Sequence, residues 1–427
     1  MGRVFWVWMV AGGLAYVAPA AVTFHKDVLP VLQSRCQRCH RPGEIAPMSF
    51  LRYQDARPWA KAMREAVLSR KMPPWSADAR HGKFANDPSL TRKEIDTLVA
   101  WAEGGAAEGD PRDAPKPVEF TEGWNIDKPD VVFELPREFH VPAAGTIDYL
   151  HFVIPTGFTE DKWVRHAEVR PGNRAVVHHV IVYVREPGSA WLREARPGEP
   201  FVAASSRAGG VEILPAAIVA GFAPGLPPTH LGDGQGLLIR AGSDLVVQMH
   251  YTVTGKPATD RTRVGLIFAR RTPTERVVNL APHNRRFVIP AGAASHKVES
   301  SMTLTQPVTL LALMPHMHFR GKSFEYRAVY PTGETEVLLS VPKYDFNWQL
   351  SYALEKSIVL PRGTRIECTA HFDNSANNAF NPNPKLEVRW GDQTWEEMMI
   401  GWMWVATGPG ARPSSLVREK DAAPAGE

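Results

Sequence analysis

The sequence predicts a multidomain chain, with one small N-terminal all-α domain followed by two all-β, jelly-roll-like sandwiches. Three observations carry that expectation. Apolar residues recur at helical spacing across residues 22–110. A stretch rich in proline and charge, Asp110-Pro111-Arg112-Asp113-Ala114-Pro115-Lys116-Pro117, then interrupts the pattern as a linker over 111–118. Beyond it, short runs of Val, Ile, Phe and Tyr alternate with Gly/Pro turns, and no long helical stripe returns.

The chain begins Met1-Gly2-Arg3, continues as an apolar run from Val4 to Val17, and then reads Ala18-Pro19-Ala20. A charged start, an apolar stretch and an A-x-A site are the parts of a secretory signal, so residues 1–21 are expected to be cleaved. The run is shorter than the ~20 residues of a membrane span. No later segment is apolar enough to cross, so an exported, periplasmic-type location without a transmembrane segment is expected. The 427 residues are too many for one core, and 44% apolar residues with 13 Trp point to packed domains. A near balance of 49 Lys+Arg against 45 Asp+Glu, with no basic stripe, argues against nucleic acid as a partner.

Residues 22–110 contain Cys36-Gln37-Arg38-Cys39-His40. Cys-x-x-Cys-His is the attachment signature of a c-type haem: two thiols bond the porphyrin and the adjacent imidazole reaches the iron. A zinc site would need further ligands, and the next cysteine is Cys368. With three cysteines in all, no disulfide framework is possible. The segment is therefore expected to be an all-α cytochrome c domain with one covalent haem. Phe24, Val28, Val31 and Leu32 form one helical stripe, and Trp59, Met63 and Val67 another. Thr91-Arg92-Lys93-Glu94 is a capping box before Ile95, Leu98, Val99 and Ala102, with Gly104 and Gly105 as the stop. The sixth iron ligand should be Met or His. Met72, in Lys71-Met72-Pro73-Pro74-Trp75, is favoured over Met48 in Ala46-Pro47-Met48, because the thioether must approach from the face opposite His40.

Residues 119–408 read as two sandwiches, 119–272 and 273–408, joined near Pro273-Thr274-Glu275, with 409–427 a disordered tail. Predicted strands are 131–135, 149–154, 176–184, 245–253, 263–268, 308–314 and 386–390. Histidines cluster on them: Val177-His178-His179-Val180, Gln248-Met249-His250-Tyr251 and Pro315-His316-Met317-His318. His-x-His on a strand puts both rings on one face, about 7 Å apart along the chain. Adjacent histidines face opposite sides of a regular strand, so a shared ion needs a bulge or a twisted end. A single histidine is more often a hydrogen-bonded core or rim residue. Three clusters on predicted strands point instead to a metal: copper, zinc or iron.

The order of these clusters resembles the copper type II monooxygenases, the family of peptidylglycine α-hydroxylating and dopamine β-monooxygenases. Here the family's His-His pair is His178 and His179, and its strand histidine is His250. Its His-x-His is His316 and His318, followed by Phe319-Arg320-Gly321-Lys322. Its methionine ligand falls at Met398, in Glu396-Glu397-Met398-Met399. The resemblance covers roughly residues 125–405, with gaps of about half a sandwich domain between clusters. The whole chain looks like a cytochrome c fused to this copper module.

The resemblance implies two mononuclear coppers. His178, His179 and His250 would hold the one that stores and delivers an electron. His316, His318 and Met398 would hold the one that binds O₂ and oxidises a C–H bond of a small organic substrate. The thioether favours Cu(I). The implied donor is exported, an ascorbate-like reductant or a redox protein, with the haem relaying its electrons. Gln248 shares the strand face of His250 and could order water or substrate, or simply make a rim hydrogen bond.

The departures have consequences. Cys368 stands where the family pairs a cysteine with the residue after its methionine ligand, but that residue is Met399 here. His151 replaces another family cysteine. The carboxylate-gripping arginine two residues before the His-x-His is Met314, and Ile400 and Trp402 replace polar wall residues. These changes fit a more apolar or neutral substrate than a peptide. Two other functions stay open: a non-catalytic haem/copper electron carrier or copper-binding protein, and a scaffold with structural histidines.

Overall fold

Alternation of buried and exposed side chains, not helical periodicity, decides the architecture of most of this chain. The computed structural model describes residues 21–120, 123–203 and 217–419. The expected signal therefore lies outside the described residues, apart from residue 21. The chain divides into two compact units. One comprises residues up to Arg41, Met48–Met72 and Leu90–Val118, and the other Pro42–Pro47, Pro73–Ser89 and everything from Glu119.

The expectation of a substantial all-α cytochrome c domain over 22–110 is corrected here. The first unit has only short helices: Leu29–Arg35 after a π-helical turn Phe24–Val28, Tyr53–Ala56, Ala60–Leu68 and Arg92–Glu103. The longest has 12 residues. The chain as a whole is a mostly β protein, and two loops of the expected domain belong to the other unit. Pro42, Pro47, Pro73 and Pro74 explain the shortfall, since proline ends helices and disfavours helix at the residue before it. The stripe assigned to Trp59, Met63 and Val67 is also shorter than expected. Trp59 closes a 3₁₀ turn and is exposed, whereas Met63 and Val67 are buried. The capping box is present: Thr91 Oγ1 accepts from Glu94 N–H, and Glu94 accepts from Thr91 N–H. Phe24, Leu32, Leu98 and Trp101 fill the small core.

The second unit is built on one long sheet and two shorter ones. The long sheet runs, in spatial order, through Val131–Glu134, Arg263–Phe268, Lys162–Arg170, Gln235–Ile239, Glu275–Leu280, Ile400–Thr407, Val308–His316 and Tyr352–Leu360, with Thr229–His230 on its flank. A five-stranded sheet of Pro200–Phe201, Leu150–Pro155, Asp244–Tyr251, Val177–Arg185 and Ala217–Phe222 shares a core with its first half. Another, of Thr335–Val341, Gly321–Val329, Arg365–Phe372, His296–Leu304 and Val417–Glu419, shares a core with its second half. β-sandwich content therefore agrees with the sequence, while the second unit runs across residue 273 without a break. The two halves also share a sheet, through a parallel pairing of Glu275 with Gln235 and Arg276 with Gly236.

The predicted strand 386–390 shrinks to Val388–Arg389. Part of the expected tail is ordered: Pro413–Ser415 forms a 3₁₀ turn and 417–419 pairs with the His296–Leu304 strand. Leu416, fully buried between them, anchors this return. Cys368 is a free, buried thiol beside Tyr326, its partner on the adjacent strand, and Met399 is fully buried. No helix among the described residues is long and apolar enough to cross a membrane.

Candidate metal centres

The adjacent histidines come together because the strand carrying them is irregular. In the pairing of Val177–Arg185 with Asp244–Tyr251, His179 stands opposite His250, but Tyr251 stands opposite Val177. His178 is the extra residue of a β-bulge, and a bulge turns two consecutive side chains toward one side. The Nδ1 atoms of His178 and His179 are 3.2 Å apart, and those of His179 and His250 are 3.3 Å apart. All three residues offer ring nitrogens within 4.8 Å of one another. Imidazole nitrogens about 2.0–2.1 Å from a common ion stand roughly 3.3 Å apart in a tetrahedral arrangement. The spacing of His179 Nδ1 from its two neighbours matches that of nitrogens around one ion.

The second cluster is built at the end of the Val308–His316 strand. The rings of His316 and His318 lie 5.2 Å apart and perpendicular. His316 Nδ1 donates to the Gln349 side-chain oxygen at 2.8 Å, and His318 Nδ1 to the Glu396 carbonyl at 3.2 Å. Each Nε2 is thereby left for a metal, and that of His318 is buried with no partner. Glu397 clamps the same turn: its carboxylate accepts from the backbone N–H of His318 at 2.9 Å and of Arg320 at 2.6 Å. Burial pushes this carboxyl up to about 8, against the pull of those N–H groups and the Arg320 guanidinium. Pro315 pairs with Gly401 and His316 with Ile400. Continuing that register sets Met398 opposite His318, half-buried against the second core. His316 and His318 are thus gathered at one strand end, and Met398 lies two residues before the strand that pairs with it.

Two aromatic rings touch both clusters. Tyr149 lies 5.3 Å from His179, 4.6 Å from His250 and 6.4 Å from His318, ring centre to ring centre. Phe346 stacks on His178 at 5.4 Å and reaches His318 at 6.1 Å. Sequence reasoning missed Phe346, Gln349 and the Glu397 clamp. The first two lie between strands with no periodicity. Their only signal was the density of aromatic and amide residues in Tyr344-Asp345-Phe346-Asn347-Trp348-Gln349. Gln248 does make the plain hydrogen bond: its amide contacts His151 Nε2 at 2.9 Å.

Burial holds these imidazoles neutral. It pushes His250 down to about 3 and His316 to about 4, and takes His179 and His318 well below the usual range, where neighbouring imidazoles lower them further. Neutral imidazole is the ligating form. The unfolded chain takes up these protons near pH 6.5. Their contribution to stability is complete above that value and is lost as pH falls toward about 4, because only the unfolded state binds protons in that window. Calorimetry of the metal-free chain should therefore give a melting temperature that drops steadily from pH 7 to pH 5. A flat profile would contradict the neutral, buried state.

In the helical unit, Cys36 and Cys39 are half-buried and form no disulfide, and burial raises the Cys36 thiol to about 12. The His40 ring stacks on Phe50 at 4.3 Å and hydrogen-bonds the Met48 backbone, while its Nδ1 is buried without a partner. Met48 thus sits on the His40 side, against the same core as Cys36. Met72 follows the Ala60–Leu68 helix, its N–H bonded to the Ala66 carbonyl at 3.2 Å, after Arg70 turns the chain at a φ of 55°.

No protein-family model matches the chain, and no curated protein matches it. Among solved structures, the chain is similar to T=1 particles derived from infectious bursal virus, with 8% identity, a TM-score of 0.20 and 70% of this chain and 75% of that chain covered. It is similar to the VP2 subviral particle of infectious bursal disease virus at 9% identity and a TM-score of 0.20, covering 70% and 77%. It is also similar to the tandem CBM22 domains of Paenibacillus barcinonensis Xyn10C at 9% identity and a TM-score of 0.14, covering 66% and 93%. Likenesses this weak carry no argument about fold or function.

Proposed function

We propose that this chain is an exported copper-dependent monooxygenase that inserts one oxygen atom from O₂ into a C–H bond of a small organic substrate. The observation that carries the reading is the bulge at His178, which gathers ring nitrogens of three histidines from two strands within 4.8 Å of one another. A structural histidine pair has no need of that irregularity. The second site supports it through a chemically different donor set, His316, His318 and Met398, suited to Cu(I).

Copper in these two sites would supply the chemistry R–H + O₂ + 2e⁻ + 2H⁺ → R–OH + H₂O. The chain's own residues do the rest. Gln349 and the Glu396 carbonyl fix the tautomers of His316 and His318. Glu397 holds their backbone. Tyr149 and Phe346 exclude water between the clusters. With haem bonded to Cys36 and Cys39 and ligated by His40 and Met72, the helical unit would deliver electrons singly from an exported donor.

The alternative is a haem/copper electron carrier or copper-binding protein, favoured by the aromatic rings that occupy the space shared by the clusters. One experiment separates the two. The protein is loaded with copper, reduced without air and exposed to ¹⁸O₂ with neutral organic substrates. The monooxygenase puts one ¹⁸O atom into an organic product. Rapid reoxidation with all label in water or peroxide would identify the carrier.

A further inference from the structure

A cavity of about 320 Å³ lies within the second unit, between the Val177–Arg185 and Ala217–Phe222 strands on one side and the long sheet on the other. It is at the lower end of the ~300–1,000 Å³ of small-molecule pockets. Its floor is one face of the long sheet. Ala312 pairs with Trp404, Met314 with Trp402 and His316 with Ile400, so the floor residues lead directly along the strands to the second histidine cluster. Alternate residues on a strand are about 7 Å apart, and Met314 is one such step from His316. His179 of the triad lines the same cavity. The exposed His230, with Thr229 and Gln235, marks its outer end.

The lining is apolar: Ile218, Phe222, Leu226, Leu311, Met314 and Trp402 are among the walls. Among the described residues no Lys, Arg, Asp or Glu lines it. Two buried polar atoms of the lining have no partner, His179 Nε2 of the triad and Gln349 Nε2. Gln349 is 3% exposed, its oxygen is taken by His316, and its Nε2 is buried with no partner. An unmet buried amide N–H costs stability until an acceptor arrives.

We propose that this cavity binds a neutral, mostly hydrocarbon molecule carrying one hydrogen-bond-accepting oxygen, a ketone, alcohol or ether, received by the Gln349 side-chain N–H. A carboxylate is rejected, because no cation meets it in the wall and burying an unpaired charge is costly. That this ligand is the substrate rests on the monooxygenase reading. That the cavity binds it does not.

The test is titration calorimetry on the full, copper-free chain with three probes of similar skeleton: 4-phenyl-2-butanone, butylbenzene and 4-phenylbutyrate. The ketone should bind one per chain, the hydrocarbon about tenfold more weakly for want of one hydrogen bond, and the carboxylate more weakly still. Gln349→Leu should erase the difference between ketone and hydrocarbon. Ala312→Trp should abolish binding of both, with near-UV circular dichroism confirming the fold. Should that variant misfold, Met314→Arg serves: it should weaken the ketone and admit the carboxylate. No saturable binding of the ketone, equal binding of ketone and carboxylate to the parent chain, or unchanged binding in both filled and charged variants would overturn the proposal. The ¹⁸O experiment reads the other claim separately. Ketone binding without labelled product keeps the pocket and removes the oxygenase. Labelled product from a carboxylate without neutral binding does the reverse.

Discussion

Replacing His179 with alanine should lower the copper content of the chain from two ions to one. His179 is the hub of the triad: its Nδ1 is the atom within 3.2 Å of His178 and 3.3 Å of His250. Without it, the remaining donors belong to different strands. The ring is also buried, 3% exposed and set against Tyr149, so the variant leaves a hole in place of the ring. Copper bound to the native fold alone stabilises it by about 4 kcal/mol when free metal is a thousandfold above its dissociation constant. The copper-dependent rise in melting temperature should shrink accordingly. His318→Ala should remove the other ion and leave the first. Elemental analysis after gel filtration reads both. Two coppers retained in His179→Ala would show that the triad is not a metal centre.

The largest loss of stability is expected from Glu397→Leu. This carboxylate is fully buried and receives two backbone N–H groups and the charge of Arg320, itself 2% exposed. Leucine would leave both N–H groups unmet and the guanidinium without its counter-charge. Above about pH 8, where the carboxyl is ionised, breaking one partner of this buried ion pair costs about 3–5 kcal/mol. Urea unfolding should register a loss of that order. The double variant Glu397→Leu with Arg320→Met should recover much of it, since exchanging a whole buried pair for apolar side chains is often neutral. Copper retention at the second site should fall as well, because Glu397 holds the turn between His318 and Met398. A loss below about 1 kcal/mol in the single variant would mean that the clamp is not buried as described.

Residue chemistry was more legible in the sequence than residue partnership. The histidine clusters stood out because imidazoles are rare on strands, and the family resemblance grouped His178, His179 and His250. The period of two called for a bulge or a twisted strand end, since two adjacent rings cannot otherwise share an ion. Met314 and Trp402 already indicated an apolar wall. Gln349 was invisible, because its role depends on which strand end its loop packs against, and nothing local encodes that. The sharing of one sheet by the two halves was equally hidden. Alternation tells a strand which face to bury but not which neighbour to pair with. The helical unit failed for the opposite reason. A strong local motif, Cys36 to His40, invited a whole domain, while the prolines around it allowed only short helices.

The shared sheet bears on how such a protein could be taken apart. A cut in the loop before Glu275 would strip the Gln235–Ile239 and Glu275–Leu280 strands of each other and leave two raw, hydrogen-bonding margins. Each fragment would tend to zip onto copies of itself instead of folding as a free-standing module. The two histidine-bearing halves are therefore expected to be inherited, expressed and lost together. A gene fragment encoding either half alone should yield inclusion bodies instead of a folded module.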